Sequence, residues 1–258
     1  MEVSGPAAPD TSTFALVTRG SSRLVIVQGM GQMIEFASNG GTCPGYLGMP
    51  ESGHGPGVVV IQEWWGLVPH IEQVVDRFAA NGFVALAPDL YRGMRTTEPD
   101  EAGKLMMGLR IEQAAVDISG AAAALVAREE TVGSAVGVVG FCMGGGLALL
   151  AGATAPNVVA VSAFYPAMPW SDYAPDWSAF AGRSAQIHTS QSDGGSEAEH
   201  IQNVQTAMTM GGGTVEVFDY AGSDHAFFND HRPEVYDQSS ADLAFQRTIN
   251  MFASRLGV

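Results

Sequence analysis

A chain of 258 residues with 46% hydrophobic composition has the length for one large α/β domain and the apolar share for a substantial core. Its 27 acidic and 12 basic residues leave a formal net charge of −15, which excludes nucleic acid and anionic membrane surfaces as expected partners because both repel it. No apolar run approaches the ~18 residues of a membrane span, no basic stretch followed by an apolar core opens the chain, and the two cysteines, Cys43 and Cys142, are too few for a disulfide framework, so a reducing, cytoplasmic setting is expected.

Residues 1–12 are rich in Pro, Ala, Ser and Thr and read as loose. Ala15-Leu16-Val17 and Leu24-Val25-Ile26-Val27 read either as short strands or as part of an extension. The division expected is an N-terminal extension over 1–32 and a single domain over 33–258. The domain opens on a hairpin: Met33 to Ser38 and Thr42 to Met49 flank Asn39-Gly40-Gly41, a strong turn former. From residue 57 onward strands and helices alternate. Gly57 to Gln62 is a continuous apolar run suited to a strand covered on both faces. Ile71 to Ala80 has helical periodicity and stops at Asn81-Gly82, Phe83 to Ala87 is a strand ended by Pro88, and Glu98 to Arg128 reads as two helical pieces. Strands follow at Ala135–Val139, Val158–Phe164, Ala185–Thr189 and Val215–Tyr220, with helices from Gly145, over Ala198–Met210 and over Val235–Leu256. Repeated βα units behind an antiparallel hairpin imply an α/β-hydrolase fold, a mainly parallel sheet with helices on both faces.

Gly140-Phe141-Cys142-Met143-Gly144 joins an apolar strand to a helix start. This is the context of a nucleophile elbow, with cysteine in the nucleophile position and glycines two residues to either side. A helix N-terminus aimed at the thiol favours a thiolate and a developing oxyanion. A buried structural cysteine beside a glycine turn is the plainer reading.

A thiol nucleophile needs a base and a carboxylate to orient it, in the chain order nucleophile, acid, histidine. Asp193 follows one late strand and His225 the next, each on a short polar loop. His231, six residues on, is the rival base, and Asp219 and Asp224 compete with Asp193. His54 precedes the first parallel strand, His188 falls inside a strand and reads as core, and His200 lies on a helix and reads as surface. His70 is a credible substrate-side group. The loop Gln62-Glu63-Trp64-Trp65-Gly66 follows the first parallel strand, where the amide of Trp64 would pair with that of Met143 as an oxyanion hole. Glu63 would enter the site, or stand as an ordinary loop carboxylate; the two indoles would wall a pocket for a flat ligand, or simply pack. No His, Cys and Asp spacing has a zinc pattern, so no metal is expected.

Four segments, Gln62 to Gly66, Ala87 to Gly93, Gly140 to Gly145 and His225 to Asp230, together resemble the dienelactone hydrolase (carboxymethylenebutenolidase) family over nearly everything from Met33 to Leu256. The resemblance implies a Cys142-His225-Asp193 triad with Glu63 as a second carboxylate, attack on an enol-lactone carbonyl, and an acyl-enzyme that water hydrolyses. It implies no metal and no organic cofactor, a small-molecule lactone or ester as partner, and a monomer or homodimer. Substrate contacts are expected from Trp65, Arg92, Asn229 and Phe227. One departure stands out. Described members hold the substrate carboxylate with arginines, one of them four residues past the catalytic histidine, where this chain has Asn229; Thr97 to Lys104 also lacks an arginine. Arg92, Arg95 or Arg232 would have to substitute, and a broader esterase for neutral esters, or a hydrolase-fold binding protein, are the alternatives.

Overall fold

The computed structural model describes residues 31–170, 175–193 and 196–257. The candidate strands at Ala15–Val17 and Leu24–Val27 lie outside the described residues, as do Gly194 and Gly195 of the Asp193 loop. The hairpin is β1 (Gly31–Ser38) and β2 (Gly41–Gly48). Its turn residues Asn39 and Gly40 have φ of +51° and +74°, the left-handed pair that matches the twist of the two strands. The first strand begins at Gly31, two residues ahead of the expected Met33, because the Gly31 N–H donates to the Tyr46 hydroxyl at 3.1 Å and draws those residues into the ladder.

The remaining chain alternates as expected: β3 (Gly55–Ile61), α1 (Pro69–Ala80), β4 (Val84–Pro88), α2 (Pro99–Gly108), α3 (Ile111–Val126), β5 (Thr131–Phe141), α4 (Met143–Thr154), β6 (Val158–Phe164), β7 (Ser184–Ser190), α5 (Ser196–Met210), β8 (Thr214–Tyr220) and α6 (Gln238–Leu256). One element went unread, a short 3-10 turn over Trp177–Phe180 that carries Phe180 into the core. The last helix starts at Gln238 rather than Val235, because Asp237 caps it by accepting from the N–H groups of Ser239 and Ser240.

The strands form one sheet in the order β1-β2-β4-β3-β5-β6-β7-β8. β3 to β8 run parallel; only the β1–β2 and β2–β4 pairs are antiparallel. Alternation along the buried strands feeds two cores. Val59 and Ile61 face a layer with α3, α4 and α5, represented by Ile118, Leu147 and Met208. Val58 and Val60 face the opposite layer with α1 and α6, represented by Val74, Phe78 and Phe252. From β3 the chain moves outward to β4, then crosses back to β5 on the other side of β3. The connections thus diverge at the carboxyl ends of β3 and β5, the position where open α/β sheets form a ligand crevice. Glu63 follows the first of these strands and Cys142 the second.

Candidate active site

Cys142 sits between β5 and α4 with φ +53° and ψ −119°. Such a backbone costs on the order of 1–3 kcal/mol and persists only where the surroundings impose it. Here close backbone packing imposes it. A Cβ on Gly140 would collide with the carbonyl oxygen of Gly144, and one on Gly144 with the carbonyl oxygens of Gln62 and Ile61. The Cys142 N–H donates to Phe164 O at 3.0 Å, and its carbonyl accepts from the N–H groups of Gly145, Gly146 and Ala167 at 2.9, 3.2 and 3.0 Å. The side chain stays half-buried at the start of α4, whose first turn carries no acidic residue. Met143 is the first residue of that helix, so its N–H has no partner within the helix and points toward the same end as the positive pole of the macrodipole.

His225 stands beyond β8. Its Nδ1 lies 2.6 Å from Asp193 Oδ1, and its own N–H donates to Ser192 Oγ at 2.7 Å. Asp193 is in turn fixed by the Ser190 N–H, which donates to Oδ2 at 2.9 Å. Burial acts to lower the His225 pKa, but the bonds to Asp193 and Cys142 and the negative charge they bring outweigh it and hold the ring up at about 10. Burial likewise acts to raise Asp193, and the bonds from His225 and Ser190 more than offset it, keeping the carboxyl below its ordinary range. An imidazolium between a carboxylate and a sulfur favours the thiolate, the nucleophilic form of cysteine. The rival carboxylates Asp219 and Asp224 are exposed, and His231 turns its Nε2 to Gln73 at 2.9 Å.

Glu63 is only 1% exposed. Its Oε2 accepts from Asn229 Nδ2 at 2.8 Å, and its Oε1 from the Tyr165 hydroxyl at 3.5 Å. Burial, then the charges of Glu63 and Cys142, hold the Tyr165 hydroxyl protonated well above its usual range, so it remains a donor. Tyr165 also lays its ring 5.0 Å from that of His225. Sequence reading did not single it out. Its place at the carboxyl end of β6, in line with the loops that carry Glu63 and Cys142, was the available signal.

A cavity of 710 Å³ opens beside this group, lined by Trp65, Val68, Pro69, His70, Arg95, Thr96, Thr97, Asn229, His231 and Arg232. Neither Cys142 nor His225 belongs to its lining; Asn229, which touches both the cavity and Glu63, joins the two. Of the four expected substrate contacts, Trp65 and Asn229 line this cavity and Arg92 and Phe227 do not. Arg92 puts its guanidinium on Asp117, with Nη2 at 2.9 and 2.8 Å from the two carboxylate oxygens, and on the Cys43 thiol. Asp117 is a buried carboxylate of α3 that needs a counter-ion, and it takes Arg92 away from the cavity, leaving Arg95 and Arg232 as the cations there. Phe227 is fully buried, 4.9 Å from Tyr220 and 5.4 Å from Tyr165 ring to ring, a packing residue beneath the histidine loop. Trp64 and Trp65 meet edge to face at 4.9 Å, and Trp64 packs against the core while Trp65 lines the cavity.

The profile of the "Dienelactone hydrolase family" matches residues 43–256. "Protein usf" of Aquifex pyrophilus is 33% identical over 240 residues, covering 88% of this chain and 100% of that protein. A protein of Aquifex aeolicus named "Putative carboxymethylenebutenolidase" is 32% identical over 246 residues, again 88% and 100% of the two chains. Among solved structures, the "Putative Dienelactone Hydrolase" of Klebsiella pneumoniae superposes with a TM-score of 0.75 at 25% identity, over 86% of this chain and 98% of the other. Among the described residues no helix is long and apolar enough to cross a membrane.

Proposed function

Because the chain belongs to the dienelactone hydrolase family, we propose that this carboxylic ester hydrolase acts through Cys142 as nucleophile, His225 as acid and base, and Asp193 as the carboxylate that orients and charges the ring. The observation that carries the reading is the strained Cys142 at a helix N-terminus, in the same site as a histidine whose Nδ1 is held by Asp193 at 2.6 Å.

Cys142 Sγ attacks the carbonyl carbon of a lactone or ester. The carbonyl oxygen becomes an oxyanion within reach of the Met143 and Trp64 amides, and one such donor contributes about 2.7–4 kcal/mol to the transition state. The tetrahedral adduct collapses, the C–O bond breaks, and His225 gives its proton to the departing oxygen. In a lactone that oxygen stays on the same molecule, so the product of this half is a ring-opened thioester on Cys142. Water then attacks the thioester while His225 takes its proton; the C–S bond breaks, the acid leaves, and the thiolate returns beside the imidazolium. Glu63, held by Asn229 and Tyr165, places an acidic side chain behind the site.

Arg95 and Arg232 in that cavity support a carboxylated lactone over a neutral ester, in a molecule whose general field opposes anions. The test is turnover of a dienelactone and of a neutral aryl ester by the protein and by Cys142→Ala. The variant is expected to fold and to lose activity on both by at least 10³-fold. Activity of Cys142→Ala within tenfold of the parent would refute the nucleophile assignment.

A further inference from the structure

His70, Asp230 and His231 bring one ligand atom each to within 4.8 Å of one another, and the two histidines line the cavity. Sequence spacing hides the group, because His70 comes from the start of α1 and the other two from the loop after β8. We infer that these three side chains form a binding site for a divalent transition-metal ion of the zinc, cobalt or nickel kind.

Two imidazoles and one carboxylate are the donor set that suits such ions, and three protein ligands leave a fourth position for water. Ligands around a tetrahedral ion with bonds of about 2.0–2.1 Å lie roughly 3.3 Å apart. His70 Nδ1 and Asp230 Oδ1 are already 3.1 Å apart. His231 and Asp230 are exposed, so the closure falls on side chains outside the core. The tautomers also fit. Gln73 Oε1 lies 2.9 Å from His231 Nε2 and, as an acceptor, holds the proton there, leaving Nδ1 with its lone pair. His70 is 2% exposed and its Nε2 has no hydrogen-bond partner among the described residues. A cation on Nδ1 would move the proton shared with Asp230 to this unpartnered nitrogen, a cost that the metal bond must outweigh. The two guanidiniums on the same cavity do not forbid a positive ion. Arg232 Nε donates to Glu234 at 3.0 Å, and the carboxylate of Glu63 stands behind Asn229.

Cobalt(II) chloride titrated into tag-free protein tests the inference, because bound cobalt reports its ligands in the visible spectrum. One ion per chain is expected, with a tetrahedral or five-coordinate spectrum, and without the ultraviolet band that a thiolate ligand gives. Cys142→Ala should bind cobalt unchanged, which separates this site from the reactive thiol. His231→Ala, at an exposed position that leaves the fold intact, should weaken binding at least tenfold, and Asp230→Asn should weaken it as well. No binding at millimolar cobalt would overturn the inference. So would binding that vanishes in Cys142→Ala, or that is indifferent to both His231→Ala and Asp230→Asn.

Discussion

At the scale of single residues, the proposed chemistry turns on how strongly His225 holds its proton. Asp193 and Cys142 keep the ring charged up to about pH 10. The ring must be protonated to deliver a proton to the leaving oxygen, so its raised pKa extends activity upward and activity falls as pH rises through that value. Removing the Asp193 charge takes away part of what lifts the ring, and burial then pulls it down. The alkaline limb of kcat/KM is therefore expected near pH 10 in the parent and at least one pH unit lower in Asp193→Asn, which should also be slower at every pH. An alkaline limb that does not move in Asp193→Asn would show that another group sets it. Asn229 is the residue where sequence reasoning reached only half of the answer. It was marked as the place of a missing arginine. That its amide holds Glu63 across 166 positions of chain is a fact of packing which no local pattern carries.

At the scale of elements, β5 and α4 show what was legible and what was not. The elbow was readable because a strand, a tight turn and a helix in immediate succession leave a local mark in glycines and apolar runs. The start of β5 was not. It pairs from Thr131, but its register against both neighbours slips, between Gly55 and Gly57 on one side and Val136 and Gly137 on the other. Residues ahead of such irregularities lose the apolar run that marks a buried strand. The pairing of His70 with Asp230 was invisible for a related reason: the two meet only because α1 and the loop after β8 converge over the same end of the sheet. The elbow glycines make a sharp prediction. Gly144→Ala places a methyl against backbone oxygens of β3 and its loop, which no side-chain rotation relieves. Overpacking typically costs 1–3 kcal/mol, and each kcal/mol is worth about 2–4 °C in a chain of this size. Gly144→Ala should lower Tm by roughly 5 °C or more and activity by over 100-fold. Gly103→Ala in α2, where a Cβ meets open space, should leave activity unchanged and Tm equal or slightly higher. Equal behaviour of the two variants would mean that the turn is looser than its contacts imply.

At the scale of the whole molecule, a net charge of −15 repels acidic substrates until the last few ångströms. Attraction must come from local cations, and the cavity supplies Arg95 and Arg232. A charge-assisted hydrogen bond exceeds a neutral one by about 1 kcal/mol, roughly five-fold in affinity. Arg95→Gln is therefore expected to reduce kcat/KM for a carboxylated lactone about five-fold while changing that for its methyl ester less than two-fold. The parent's preference for the acid should also weaken as salt screens the exposed guanidinium. Equal losses on both substrates would place Arg95 in packing rather than recognition. The overall charge set the expectation about partners from composition alone. Which arginine faces the cavity depended on Asp117, a buried carboxylate whose need for Arg92 only the folded packing reveals.

In the proposed mechanism, hydrolysis passes through a thioester on Cys142. Mixing the protein with a slowly deacylating aryl ester and measuring intact mass, followed by peptide mapping, addresses it directly. A gain of one acyl group per chain is expected within the first turnover, located on the peptide that contains Cys142 and not on Cys43, whose thiol is buried and pushed up to about 11, first by burial and then by the charge of Asp117. The adduct should decay at the rate of steady-state turnover and be absent in Cys142→Ala. Product release with no covalent adduct at any time, or an adduct on another residue in an active protein, would contradict it.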